Sequence, residues 1–335
     1  PVPFTFSHDQ YMQGTRDVVY YQQRKKAGRW KATDFIKWIK SESDQTRFTA
    51  FGGAKKLIYY PTKKLRINID KEEVLENNVV PAKDSAKIVD YIDWNLTGSV
   101  LSKRDLMVID LIAHNDWERP IYFSVTVGNS SKSYFWLDDY FRLEGLAYRY
   151  VPVRHPRKKK DPDFGKVATD IMYENLMEDF HFENMGQLDN YMDETNRRVT
   201  FNLRNIYGRL GKELAKEGRN EKAIEVLDRA MEYMPEEKFA FDYFAMNLLE
   251  GYYMAGAKEK ADALVEKFAS RLEEELAYYA QFTGQESKMV ASDANAAGSY
   301  FGMLVRLKGR FDDKQGGAQQ TDLFQRYMQA VQSTQ

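Results

Sequence analysis

The stretch Arg204-Asn205-Ile206-Tyr207-Gly208-Arg209-Leu210-Gly211-Lys212-Glu213-Leu214, followed by Glu217-Gly218-Arg219-Asn220 and then Ala223, decides the fold of the C-terminal half. Tyr207, Leu210, Gly211 and Leu214 recur at helical spacing and share one face of a first helix. Gly218 closes that helix, because glycine enters the left-handed C-terminal turn without a steric penalty. Ala223, Leu227 and Ala230 form one stripe on a second helix, which Pro235 stops. Gly211, Ala223 and Ala230 are small enough to let two helix backbones come close.

A second copy follows at an offset of 256 − 218 = 38 residues: Gly218-Arg219-Asn220-Glu221-Lys222-Ala223 is echoed by Gly256-Ala257-Lys258-Glu259-Lys260-Ala261. In this frame Leu210 corresponds to Leu248, Leu214 to Tyr252, Leu227 to Val265 and Ala230 to Phe268. The pattern resembles the tetratricopeptide repeat, a helix–turn–helix of about 34 residues with large and small residues at fixed places. The best unit is 204–237 and a degenerate one is 242–272. The resemblance implies that the first helices of successive units line a groove. Asn205, Lys212 and Lys216, with Tyr243, Met246, Glu250 and Tyr253, are expected to face it and to bind a protein or peptide. The competing expectation is that Tyr243 and Tyr253 pack against the helix after Thr321.

Working outward, 335 residues suffice for two cored domains, and 43% hydrophobic with 30% charged residues is a globular composition. A net charge of −1 gives no overall basic footprint for nucleic acid. No apolar run approaches the ~20 residues that span a bilayer. The chain starts at Pro1 without a signal peptide, so it is expected to be a piece of a longer protein. With no cysteine, disulfides, thiolate metal sites and cysteine nucleophiles are excluded.

Residues 1–153 predict an α+β domain with a small mixed sheet. Pro1 to Asp17 is an extended lead-in that needs something to pack on. Val18–Tyr21 is a short strand. Thr33 is the expected cap of a helix whose apolar face is Phe35, Ile36 and Ile39. Phe51 to Ala54 is a turn. Leu57–Tyr60 and Leu65–Ile69 are strands around a Pro61-Thr62 turn, and Lys71 to Asn77 is a helical turn. Ser102 and Asp105 approximate a capping box for a helix ending near His114. Ile121–Val127 reads as a central strand because it is so apolar. A turn and a last strand follow to Val153. Residues 154–163, basic and punctuated by proline, form a linker. Residues 164–335 are helical, near 167–179, 194–216, 221–234, 239–254, 258–279, 293–307 and 321–331. The expected class is therefore an α+β domain followed by an all-α tetratricopeptide-like domain.

No motif assigns chemistry. The four histidines, His8, His114, His155 and His181, lack ligand spacing, so no metal and no cofactor is expected. There is no Gly-x-Ser-x-Gly elbow. A soluble carbohydrate-active enzyme is the alternative. It would use acidic residues near Trp117, Trp136 and Asp139, and it requires two carboxylates ~5–10 Å apart in an aromatic-lined cleft. A plain structural scaffold is the third possibility.

The sequences Tyr11-Met12-Gln13-Gly14-Thr15-Arg16-Asp17, Asp105-Leu106-Met107, Trp117-Glu118-Arg119-Pro120-Ile121-Tyr122-Phe123 and Leu143-Glu144-Gly145-Leu146-Ala147-Tyr148-Arg149 resemble the C-terminal part of the bacterial "domain of unknown function 2723" proteins. Those are membrane proteins similar to C-type glycosyltransferases and related to a vertebrate protein O-mannosyltransferase. The resemblance implies a periplasmic module, attached to the inner membrane by spans of its parent chain, that holds acceptor protein or a partner. In such enzymes the catalytic acids lie in the membrane region, so no catalytic residue is carried over to this chain.

Overall fold

A computed structural model describes residues 4–12, 17–23, 27–49, 53, 56–126, 135–156, 165–312 and 322–332 of the chain. Most of the expected Phe51–Ala54 turn, the Gln13–Arg16 part of the lead-in and most of the basic linker lie outside them. The chain forms two compact units, residues 1–143 with 147–166, and 144–146 with 167–335.

In the first unit the strands are β1 (Val18–Tyr21), β2 (Trp30–Lys31), β3 (Arg47–Thr49), β4 (Lys56–Tyr60), β5 (Lys64–Asn68), β6 (Tyr91–Asn95), β7 (Val100–Ser102), β8 (Tyr122–Ser124), β9 (Phe141–Leu143) and β10 (Ala147–Tyr150). The helices are α1 (His8–Met12), α2 (Ala32–Lys40), α3 (Lys71–Glu76) and α4 (Lys103–Ala113). One sheet has the order β3-β4-β1-β7, with β1 and β4 parallel through Tyr20 opposite Tyr59. A second has the order β2-β5-β6, with Leu65 opposite Trp94. β10 pairs antiparallel with both β8 and β9.

Three strand expectations need correction. The strands flanking Pro61 do not pair with each other; β4 joins the first sheet and β5 the second. β4 buries Ile58, Tyr59 and Tyr60 completely or nearly so, and so belongs in a sheet interior, whereas β5 alternates and keeps Lys64 and Asn68 in water. β8 spans three residues and ends its sheet, and Tyr122 is 49% exposed. Its apolar run did not distinguish a central strand from an edge. The last strand is a β9–β10 hairpin turning at Glu144 to Leu146.

α2 forms because Ala32, Phe35, Ile36 and Ile39 fall on one face, and all four are buried. Burying each large apolar side chain is worth roughly 1.5–3 kcal/mol. The cap position is Lys31, not Thr33. α4 carries the expected box: the Ser102 amide and hydroxyl donate to Asp105 at 2.8 and 2.6 Å. The lead-in, expected to be extended, forms α1 over His8–Met12, and its Thr5 finds something to pack on. The Thr5 amide and hydroxyl each donate at 2.7 Å to the fully buried Asp110, whose other neighbour is His114 Nδ1 at 3.0 Å.

The second unit contains α5 (Thr169–Glu174), α6 (Glu194–Lys216), α7 (Asn220–Tyr233), α8 (Ala245–Met254), α9 (Lys258–Tyr279), α10 (Gly284–Phe311) and α11 (Asp322–Gln332). Two helical hairpins, α6–α7 and α8–α9, stand where the repeated spacing places them. Each first helix ends in the same C-terminal turn. Gly218 has φ 76° and Gly256 has φ 82°. Arg219 N donates to the Leu214 carbonyl and Ala257 N to the Tyr252 carbonyl, both at 2.9 Å. The eight residues matched between the copies are all at most 2% exposed, so the register of the repeat is the register of the core.

α6 packs against both α7 and α8. Gly208 permits the α6–α8 approach: a Cβ there would lie 2.6 Å from the Leu248 amide nitrogen. Residues 239–244, expected to be helical, are not. The carbonyls of Phe239 and Ala240 accept from Arg204 at 2.5 and 3.1 Å, and that of Phe241 accepts from Arg271. These carbonyls are satisfied by arginine instead of by a helix. α10 starts at Gly284, well before the expected residue 293. Its first turns carry no apolar stripe to mark it.

Candidate binding surfaces

The expected groove residues lie on α6, α8 and the loop before α8, and most of their polar atoms are occupied by one another. Asn247 donates to Asn205 Oδ1 at 2.7 Å, and Lys212 Nζ donates to Asn247 Oδ1 at 2.8 Å. The same ammonium lies 2.5 Å from Glu250 Oε2, and Arg310 of α10 reaches Glu250 Oε1 at 2.9 Å. Burial by itself would raise the Glu250 carboxyl. The hydrogen bonds and charges of Lys212 and Arg310 outweigh it and hold the group below its usual range.

Tyr253 is 6% exposed; it donates to Asp262 Oδ1 at 2.6 Å and stacks on Phe311 of α10 with centroids 4.8 Å apart. It therefore packs on α10, not on the helix after Thr321. Lys216 is exposed and paired with Glu213 at 2.9 Å. Tyr243 is 40% exposed, edge-on to Phe244.

Met246 and Glu250 open onto a cavity of about 530 Å³, completed by Met303, Arg306, Leu307, Gly309 and Arg310 of α10. Volumes of ~300–1,000 Å³ are usual for ligand pockets. Nothing in the repeat pattern pointed to the α10 residues. The spacing Met303, Arg306, Leu307, Arg310 is nonetheless that of one helix face and was readable as such. Met246 and Met303 are half-buried. Arg306 is exposed and has no ion-pair partner among the described residues.

The first unit holds a second cavity, of about 390 Å³, lined among others by Lys31, Arg66, Asp70, Glu73, Asp116, Trp117 and Tyr150. Arg66 is engaged with Asp93 through two bonds of 2.7 and 3.0 Å. Asp70 caps α3 by accepting from the Glu72 and Glu73 amides. The Glu73 carboxyl is raised, first by lost solvation and then by the negative charges of Asp70, Asp116, Glu118 and Glu76. Trp117 is buried and stacks on Tyr150 at 5.1 Å. Asp116 and Trp117 are consecutive non-glycine residues at φ 44° and 60°. Such strain persists only where the surroundings fix it.

Of Trp117 and Asp139, named for carbohydrate chemistry, Trp117 lines this cavity with its neighbour Asp116. Asp139 does not; it accepts from Arg154 at 3.0 Å. The side chain of Trp136 lies outside the described residues. Among the described residues no group of three or more His, Asp or Glu could hold a metal ion. No helix among them is long and apolar enough to cross a membrane.

A family model described as TMEM260-associated domain 2 matches residues 1–171 of the 335. No curated protein and no solved structure matches the chain.

Proposed function

We propose that this chain, which belongs to the TMEM260-associated domain 2 family, is the non-catalytic, extracytoplasmic module of a membrane glycosyltransferase-like protein. Its helical half, in this reading, carries tetratricopeptide-like repeats and holds a segment of acceptor protein or of a partner near the membrane. The family's association with a membrane protein supports the first part, as does the resemblance to the domain of unknown function 2723 proteins. The observation that carries the second is the cavity between Met246 and Met303, which includes two of the residues expected to face a groove and is lined by both apolar and charged side chains.

A pool of extended twelve-residue peptides of mixed composition, titrated against the purified chain by fluorescence anisotropy, tests the binding. Some members should bind, and the double variant Met246→Glu, Met303→Glu should lose them while keeping its melting temperature within a few degrees. A pool without any binder ends the reading. The location is tested by adding protease to spheroplasts of a bacterium expressing the complete reading frame. Digestion of this region is expected, and protection would place it on the wrong side of the membrane.

One observation favours a second reading, a carbohydrate-active enzyme: Asp70, Glu73 and Asp116 line one cavity beside Trp117. In that reading Glu73, among the three carboxylates, would serve as general acid. That reading requires measurable hydrolysis of oligosaccharides or aryl glycosides that Glu73→Gln abolishes, and absence of any turnover removes it.

A further inference from the structure

We infer that the cavity between α8 and α10 recognises an acidic–apolar peptide segment: an apolar side chain lodged between Met246 and Met303, with an aspartate or glutamate one or two residues away held by Arg306 and Arg310. The inference rests on the peptide-holding reading above and adds the chemistry of the bound segment.

The floor and the rim ask for different groups. Methionine side chains are unbranched and polarisable, so a pair of them accepts apolar side chains of several shapes. Leu307 extends the same apolar wall. The rim is cationic. Arg306 and Arg310 stand against the single carboxylate of Glu250, which Lys212 already neutralises from outside the cavity lining. Arg306 has no ion-pair partner among the described residues. Arg310 makes one 2.9 Å contact to Glu250, and a guanidinium has five N–H donors, so most of its donors remain for a ligand. Arginine presents those donors as a planar fork that matches a carboxylate.

The alternatives fit less well. A basic peptide meets a carboxylate already shared by Lys212 and Arg310, and two arginines that repel it. A wholly apolar peptide would cover Arg306 without replacing its water, and an uncompensated desolvated charge is costly. An acidic–apolar segment satisfies both walls at once.

The test compares four fluorescein-labelled, N-acetylated seven-residue peptides by anisotropy on the intact chain. The reference has Leu flanked by Glu and Asp within Gly and Ser. The others replace both acids by their amides, both acids by lysine, or Leu by Ser. The reference should bind at least ten-fold more tightly than the amide and lysine peptides, and this advantage should shrink as sodium chloride is raised. Arg306→Gln, which breaks no ion pair among the described residues, should remove most of the advantage and leave the amide peptide unchanged. Replacing Leu by Ser should weaken binding in wild type and variant alike.

If the amide or lysine peptide binds as well as the reference, the inference is overturned, while the peptide-holding reading stands. If none of the four binds and the mixed pool is also silent, both fall. If the mixed pool contains binders but none is acidic and apolar, only the inference falls. Should Arg306→Gln fail to fold, the four peptides on the wild-type chain still decide the matter.

Discussion

Arg204 on α6 donates to the main-chain carbonyl of Met234, thirty residues later, at 3.2 Å. The same guanidinium reaches the carbonyls of Phe239 and Ala240 and lies over the Phe241 ring at 5.0 Å. It is fully buried, and burial pushes its pKa down to about 10 against the pull of Asp242 and Glu236. One side chain thus closes the end of α7 and shapes the link to α8. Replacing it with methionine strands three carbonyls, each costing about 1–3 kcal/mol if left unpaired. Arg204→Met should lower the free energy of unfolding by about 3 kcal/mol or more in a urea titration, three carbonyls at the low end of that range. A loss below about 1 kcal/mol would mean that the loop finds other donors.

Gly208 and Gly211 predict an order of tolerance. A Cβ on Gly208 meets main-chain atoms of α8, at 2.6 Å from Leu248 N and 2.8 Å from the Asn247 carbonyl carbon. The nearest atoms to one on Gly211 belong to the Leu227 side chain, at 2.6 Å, which has more freedom to shift than a backbone. Alanine regains about 1 kcal/mol of helix propensity at either position. Overpacking against a backbone costs roughly 1–3 kcal/mol or more. Gly208→Ala should therefore be the more destabilising of the two and Gly211→Ala the milder, with thermal unfolding of the two variants giving the comparison.

Tyr253 is held by its hydroxyl as well as its ring. Tyr253→Phe keeps the stack on Phe311 and removes the 2.6 Å bond to Asp262. A hydrogen bond to a charged group contributes about 1.5–3 kcal/mol, so the variant should unfold at correspondingly lower urea. Peptide binding at Met246 and Met303 should be unaffected, and a large change in affinity would show that Tyr253 reaches the ligand.

Two carboxylates give the helical unit an acid limit. Burial raises Asp262, but hydrogen bonds from Lys308, Tyr253 and Lys258 outweigh it, and the group lies below its ordinary value of 3.8; Glu250 lies below 4.5 for the reasons given above. A carboxyl depressed in the folded state stabilises fully above its unfolded pKa. That contribution fades as pH falls through the folded value. Melting temperature should drop steeply below about pH 4.5, and Glu250→Gln with Asp262→Asn should flatten this limb while lowering the plateau at pH 7. An unchanged slope would assign the acid limit to other groups.

Much of the helical half was legible because glycine, alanine and leucine mark it at fixed intervals. Gly218 and Gly256 fix two chain reversals, and the residues aligned from them are all buried. Residues 239–244 misled because their apolar content reads as helix, while their backbone answers to Arg204 and Arg271, distant in sequence. The cavity was half visible. Met246 and Glu250 came with the repeat, but Met303, Arg306 and Arg310 lie more than fifty residues on, where only packing brings them opposite. In the first unit the short strands β6 and β7 went unseen, and the pairing of β4 with β1 depends on register that no local pattern encodes.

Leu227 lies against both Gly211 and Gly251, where an added Cβ would stand 2.6 and 3.1 Å from it. One side chain of the first hairpin is thus also the floor of the second. The two hairpins should melt as a single event, and deleting residues 204–237 would not leave a shorter but intact array: it would expose the inner surface of α8 with nothing to seal it.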